Sequence, residues 1–464
     1  MWGVLLGLGY VRLTIISHFP HPTSHFSDKL QFDKKENKMQ IIENLNVKEK
    51  LYIEKLENGL TVMIIPKTGI KKKYVMWATH YGSIDNEFIV PGEKEITKVP
   101  DGVAHYLEHK MFEQKNGTNS LDVLTALGVN ANAYTTNDHT AYLFEATDNF
   151  YPALDELMDY VQNPYFTDEN VEKEKGIIGQ EIRMYDDYPD WAVYMNAIKC
   201  MYKNNPIRID IAGTVESIAK IDKEVLYKCY NTFYNPANMV MCFVGDFNPE
   251  DLIKEVNKRL IQKPNQGEIK RIQQEEPAEI VEKRIEKEME VSMPLFVIGI
   301  KDIPCKRQED IVKKHIAIEI LLNMLIGKSS KLYKELYEKG LLISEPYLEY
   351  EFSQSFAHIA ITGISKDPDK ILEKIQEEIE NLKNKGIEKE HFERIKNMLY
   401  GNNVKEFNNV SDIARMFVSD YFKGINSFEY LENYKQISIE YVTEVLNEVF
   451  LKDKTVISII KNNK

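Results

Sequence analysis

Residues 102–112 read GVAHYLEHKMF, an H-x-x-E-H motif formed by His105, Glu108 and His109 inside an apolar, helix-compatible run. On a helix, positions i and i+4 share a face and i+3 lies beside them. Both imidazoles therefore aim at one point, with the Glu108 carboxylate next to it. Two imidazole nitrogens suit Zn2+, and a neighbouring carboxylate that does not ligate the metal can take a proton from an activated water. Pro100 and Asp101 precede the run, and Asp101 is the expected N-cap of the helix.

Catalytic zinc sites take three protein ligands and keep one position open. Further along, residues 174–181 read EKGIIGQE. This spacing puts Glu174 and Glu181 about two turns apart on one face of a long helix. Glu181 is the expected third ligand, and Glu174 the carboxylate that orients the site from behind. Taken singly, these signals are weak. Two histidines on a helix are most often solvated, and paired glutamates usually mark a solvated face. The case rests on the set.

Working outward, LYIEKLENGLTVMIIP (51–66) reads as a hairpin around Asn58-Gly59. Residues 74–85 read as a strand, and 128–147 as two strands with a polar turn at Thr136–Asp138. Helical patterns cover 151–162 and 167–185, and MVMCFVGDF (239–247) reads as a further strand. The charged, aromatic-poor stretch 261–290 reads as a linker. The second half then repeats the plan of the first: 361–396 matches 144–175 element for element, and 441–460 matches 225–246. The expected fold class is α+β, with two homologous domains, each an antiparallel-rich sheet packed with helices. The first, 39–260, carries the metal motif. The second, 291–464, has no second histidine in register with His315 and is expected to be non-catalytic. His80, His139, His315 and His358 are expected to be structural.

The chain has 464 residues, 28% charged and 43% hydrophobic, with a formal net charge of -13. Such a balance builds a sizeable core and argues against nucleic acid or an anionic membrane as partner. Four cysteines without a C-x-x-C spacing fit a reducing compartment, and the expected location is the cytoplasm. Residues 1–19 are apolar but broken by Arg12, too short for a membrane span and poor as a signal peptide. Residues 1–38 are therefore expected to be a non-native or disordered extension, with an atypical export signal as the alternative.

GVAHYLEHKMF, the following NANAYT (130–135) and the two glutamates together resemble the pitrilysin/insulinase family of zinc peptidases. LENGLTV, FYNPANMVMCFVGDF and, in the second half, GKSSKLYKELYEKGLL (327–342) extend the likeness from about residue 50 to the C-terminus. The resemblance implies two homologous domains closing around a peptide chamber. It implies zinc held by His105, His109 and Glu181, with Glu108 as base. It also implies that Asn132, Ala133, Tyr134 and Thr135 bind substrate backbone as an added strand. The length is similar to that of the short, mitochondrial-processing-peptidase-like branch, which implies a homodimer or a heterodimer with an inactive homologous subunit. Relatives grip substrate with an Arg and a Tyr after the glycine-serine segment of the second half. Here that stretch is GLLISEPYLEYEF (340–352), without an Arg, and Tyr347 or Tyr350 would stand in for the Tyr. The expected activity is zinc-dependent endopeptidase. Its alternatives are a non-catalytic core subunit of the same fold and a maturation peptidase serving one partner.

Overall fold

Two strands without polar alternation decide the architecture. KYVMWAT (73–79) buries all but its first residue, and MVMCFVG (239–245) buries every one. A strand apolar on both faces needs a covering layer on each side. The computed structural model, which describes residues 39–305 and 307–462, supplies both layers. The expectation for residues 1–38 lies outside the described residues.

The first unit runs β1 (Gln40–Asn44), β2 (Glu49–Lys55), β3 (Thr61–Pro66), β4 (Lys73–Thr79), β5 (Glu87–Ile89), β6 (Thr97–Lys98), α1 (Val103–Lys110), α2 (Ser120–Ala126), β7 (Asn130–Thr135), β8 (Thr140–Ala146), α3 (Phe150–Gln162), α4 (Asp168–Asp186), α5 (Pro189–Met201), α6 (Val215–Ile218), α7 (Lys223–Phe233), β9 (Met239–Gly245), α8 (Pro249–Arg259) and β10 (Lys270–Arg271). Its seven-stranded sheet has the order β1-β2-β3-β9-β4-β8-β7. The β3–β9 pair is parallel and the other neighbours are antiparallel. The expected hairpin is β2–β3: Asn58 Oδ1 accepts the Leu60 N–H at 3.2 Å, and Gly59 takes φ 94, the left-handed conformation a tight turn needs.

The second unit runs β11 (Arg284–Glu288), β12 (Leu295–Asp302), α9 (Gln308–Ile326), α10 (Lys331–Glu338), β13 (Tyr347–Phe352), β14 (Ala357–Ile364), α11 (Pro368–Lys385), α12 (Lys389–Glu406), α13 (Val410–Phe422), α14 (Phe428–Gln436), α15 (Ile439–Val449) and β15 (Thr455–Lys461). Its sheet order, β11-β15-β12-β14-β13, repeats β3-β9-β4-β8-β7 strand for strand. The repeat includes the one parallel pair, β11 with β15. Two α+β units of one topology are thus present. Two strands, β10 and β11, lie inside 261–290, the stretch that read as a linker. RIEKE (284–288) has a single apolar residue because β11 is an edge strand, mostly exposed, so it lacks the pattern of a buried strand.

The units interlock. Each sheet packs its own helices on one face, through a core that includes Trp77, Phe144 and Phe243 in the first unit and Phe296, Ile359 and Ile457 in the second. The opposite face takes a helix from the other unit. Helix α13 of the second unit buries Phe417 and Val418 against Met76, Cys242 and Val244 of the first sheet. Helix α5 of the first buries Ile198 and Met201 against Val297 and Val456 of the second. This exchange explains why strands in both sheets are apolar throughout.

Candidate metal centre

Helix α1 presents the H-x-x-E-H motif and is held at both ends. It enters at Gly102, with φ 90. A Cβ there would lie 2.4 Å from the Ala212 carbonyl oxygen, so only glycine lets the helix seat against the 212–213 loop. Asp101 does not cap the helix, contrary to expectation. Its carboxylate accepts from Asn86 Nδ2 at 2.8 Å, in the segment just before β5. Helix α4 is fixed by a capping box in which Thr167 and Asn170 satisfy each other's backbone N–H groups. The Tyr106 hydroxyl donates to the Val171 carbonyl and locks α1 onto α4.

That docking brings His105, His109 and Glu181 together, with their ligand atoms all within 4.8 Å of one another. His105 Nε2 lies 3.7 Å from Glu181 Oε1, and His109 Nε2 lies 3.4 Å from Glu181 Oε2. Ligand atoms around one tetrahedral zinc stand about 3.4 Å apart. Donor set and spacing therefore both fit Zn2+. Glu174 sits behind: its Oε1 is 3.1 Å from His109 Nδ1, which fixes the tautomer and turns Nε2 toward the metal position. Its other oxygen accepts from Lys110 Nζ at 3.2 Å. Lys110 is fully buried and is also paired with Glu113 at 2.8 Å.

The charges of the site are tuned by this packing. Burial pushes His105 down to about 3, with His109 adding to the fall. Burial opposes the cationic form of His109, but the Glu174 hydrogen bond and the Glu108 and Glu181 carboxylates outweigh it and hold His109 above its ordinary value. Burial also opposes ionisation of Glu174, yet His109 and Lys110 keep it below the usual range. Burial raises Glu181. It pushes Glu108 up to about 7, against the opposing pull of His109 and of the Thr135 hydrogen bond. A bound dication would favour the ionised carboxylates.

Glu108 is oriented from the sheet. Thr135 Oγ1 donates to Glu108 Oε2 at 2.8 Å, and Thr140, 3.3 Å from Thr135, donates to the Tyr81 carbonyl. Thr135 ends β7, the edge strand of the first sheet, so Asn132, Ala133, Tyr134 and Thr135 line an edge that runs to Glu108. Sequence reasoning gave these residues a backbone role and missed the Thr135 hydroxyl. It also missed Lys110, although that residue stands directly after the motif with Glu113 one turn on. His80, His139, His315 and His358 stay outside the ligand set. They contact Phe422, Asp138, Tyr430 and Tyr202 respectively. Tyr350 is buried and donates to Asp302 at 2.7 Å, whereas Tyr347 is exposed.

Fold and donor set together define the class: a metallopeptidase scaffold built of two similar α+β units. The chain belongs to the insulinase family, peptidase family M16. The pattern described as "Insulinase (Peptidase family M16)" matches residues 92–215, and that described as "Peptidase M16 inactive domain" matches 220–399. The chain is 41% identical to zinc protease YmfH of Bacillus subtilis over 416 residues, covering 89% of this chain and 97% of that protein. It superposes on an M16-like peptidase from Alicyclobacillus acidocaldarius with a TM-score of 0.86 at 33% identity, covering 89% of this chain and 99% of the other. A Helicobacter pylori protease, at 20% identity and a TM-score of 0.75, shares the fold; the match covers 92% of this chain and 100% of that one. Zinc is the metal that the relatives' names and the donor set both indicate.

Proposed function

We propose that the protein is a zinc-dependent endopeptidase that hydrolyses peptides or unfolded segments of proteins. The observation that carries the reading is the convergence of His105, His109 and Glu181 on one point, with the buried Glu108 held beside it by Thr135. When bound, zinc supplies a Lewis acid that polarises the scissile carbonyl and acidifies water. Glu108 accepts the proton of the attacking water and returns it to the leaving nitrogen. Its raised pKa suits a group that must both take and give a proton. Glu174 holds the His109 ring in place. The free edge of β7, through Asn132, Ala133, Tyr134 and Thr135, takes the substrate backbone as an added strand and sets the scissile bond beside Glu108. The test is Glu108→Gln, which should retain zinc and lose roughly 10²–10⁴-fold in peptide hydrolysis. Turnover near that of the wild type would assign the base elsewhere.

The same reading extends to assembly and place. His109 and Glu181 keep 25% and 24% of their side-chain surface exposed, so the centre lies open on one side. A second chain, a further copy or an inactive homologue, would close the chamber over it. Light scattering alongside activity decides this: a fully active monomer rejects it. Cys200, Cys229, Cys242 and Cys305 are all free thiols, which supports a cytoplasmic location. Among the described residues no helix is long and apolar enough to cross a membrane. Cell fractionation tests the assignment, and recovery of the protein in a periplasmic or secreted fraction rejects it.

A further inference from the structure

One cation of the second unit reaches the strand beside the metal centre. Arg415 lies on the exposed side of α13, and its guanidinium carbon sits 5.2 Å from the centroid of the Tyr134 ring. Among the described residues, no carboxylate lies within ion-pair distance of it. Its charge opposes the burial-driven rise of both the Tyr74 and Tyr134 hydroxyls, and a side-chain interaction with Tyr74 adds to the effect there, which places the guanidinium on the α13-facing side of the first sheet, between β4 and the edge strand β7. A planar guanidinium carries five N–H donors, so one turned toward Tyr74 leaves the others, in the plane stacked on the ring, for a carboxylate.

The alternation of β7 says what those donors can meet. Ala131 and Ala133 pack toward the core behind α1, and Thr135 reaches Glu108 on that side. Tyr134 packs on the opposite face, in the layer formed with α13. A peptide pairing with the free edge of β7 carries the same alternation. Side chains on one of its faces look toward Glu108 and the metal ligands. Those on the other look toward Tyr134 and Arg415. Directly opposed residues of paired strands stand about 4.5–5.5 Å apart, so a carboxylate on the second face comes within reach of the guanidinium.

We propose that Arg415 is a specificity-determining residue that selects peptides presenting a carboxylate on the face of the docked strand turned toward α13. This rests on the reading of β7 as the docking strand of a zinc peptidase. The carboxylate is an Asp or Glu side chain or the end of the peptide, and the test separates the two. Zinc-loaded protein carrying Glu108→Gln, which leaves peptides intact, is titrated by fluorescence anisotropy with eight-residue peptides. Asp, Asn or Lys is moved through every position, with free and amidated C-termini.

The expected result is that Asp at one position binds roughly fivefold tighter than Asn. That preference should vanish with Arg415→Met, which keeps an apolar stem on the ring, and turn toward Lys with Arg415→Glu. A preference for free over amidated ends that depends on Arg415 assigns the carboxylate to the chain terminus. Equal binding of all peptides, no binding at all, or a preference that survives Arg415→Met overturns the proposal. Arg415 is exposed, so an unchanged melting temperature verifies that its variants fold. Hydrolysis by the protein with Glu108 intact is scored separately. A failure to cleave any peptide would sink the peptidase reading while leaving an Arg415-dependent binding preference in place.

Discussion

On the proposed function, two kinds of side chain make up the centre, those that would hold the metal and those that orient them, and substitution separates them. Replacing Glu181 by Gln removes the one anionic group of the proposed ligand set. Zinc content should fall from about one per chain to well below it, as metal analysis of the purified protein would show. Unchanged content would remove Glu181 from the ligand set. Glu174→Gln keeps the proposed ligands but weakens the hold on His109 and on the buried Lys110, so zinc should still bind, with roughly 10–100-fold lower affinity by competition with a chelator. Thr135→Val leaves the strand intact but frees Glu108 from its hydrogen bond. Steady-state kinetics should show kcat falling about tenfold with KM little changed, and Thr135→Ser restoring it, if the hydroxyl serves by orienting the base. A change confined to KM would show that Thr135 acts through substrate backbone alone.

At the scale of elements, what was legible depended on how local the cause was. Glu108 and both histidines could be read because helical spacing alone makes them converge. The α4 pair could be read for the same reason, three helices on. The tie of Thr135 to Glu108 could not, because β7 and α1 meet only after the sheet has formed. Strand β11 was hidden by its charge, since an exposed edge strand needs no apolar face. The destination of α13 was hidden too: its pattern shows an apolar face and says nothing of which sheet receives it. The structure gives that face to the first unit, where Phe417 is 2% exposed. Phe417→Ala should therefore cost about 3–5 kcal/mol in urea unfolding. The loss should be felt in the first unit's sheet, read by amide exchange in β4 and β9. Protection lost only within the second unit would contradict the packing.

Across the whole molecule, the exchange of α5 and α13 makes the two units depend on each other. A piece comprising residues 39–260 would expose the apolar face that α13 covers, including Met76, Cys242 and Val244. It should aggregate when produced alone and become soluble when produced together with residues 261–464. A soluble, cooperatively melting 39–260 fragment would show that the interlock is dispensable. The same dependence has a consequence on the ribosome. Synthesis completes the first sheet at Gly245, but the helix that shields its outer face is finished only at Phe422. At about 5–20 residues per second, on the order of ten to thirty seconds pass between the two. Through that interval the nascent chain carries a bare apolar sheet, a surface on which a chaperone has time to act and which a translational pause before Phe422 would leave uncovered for longer.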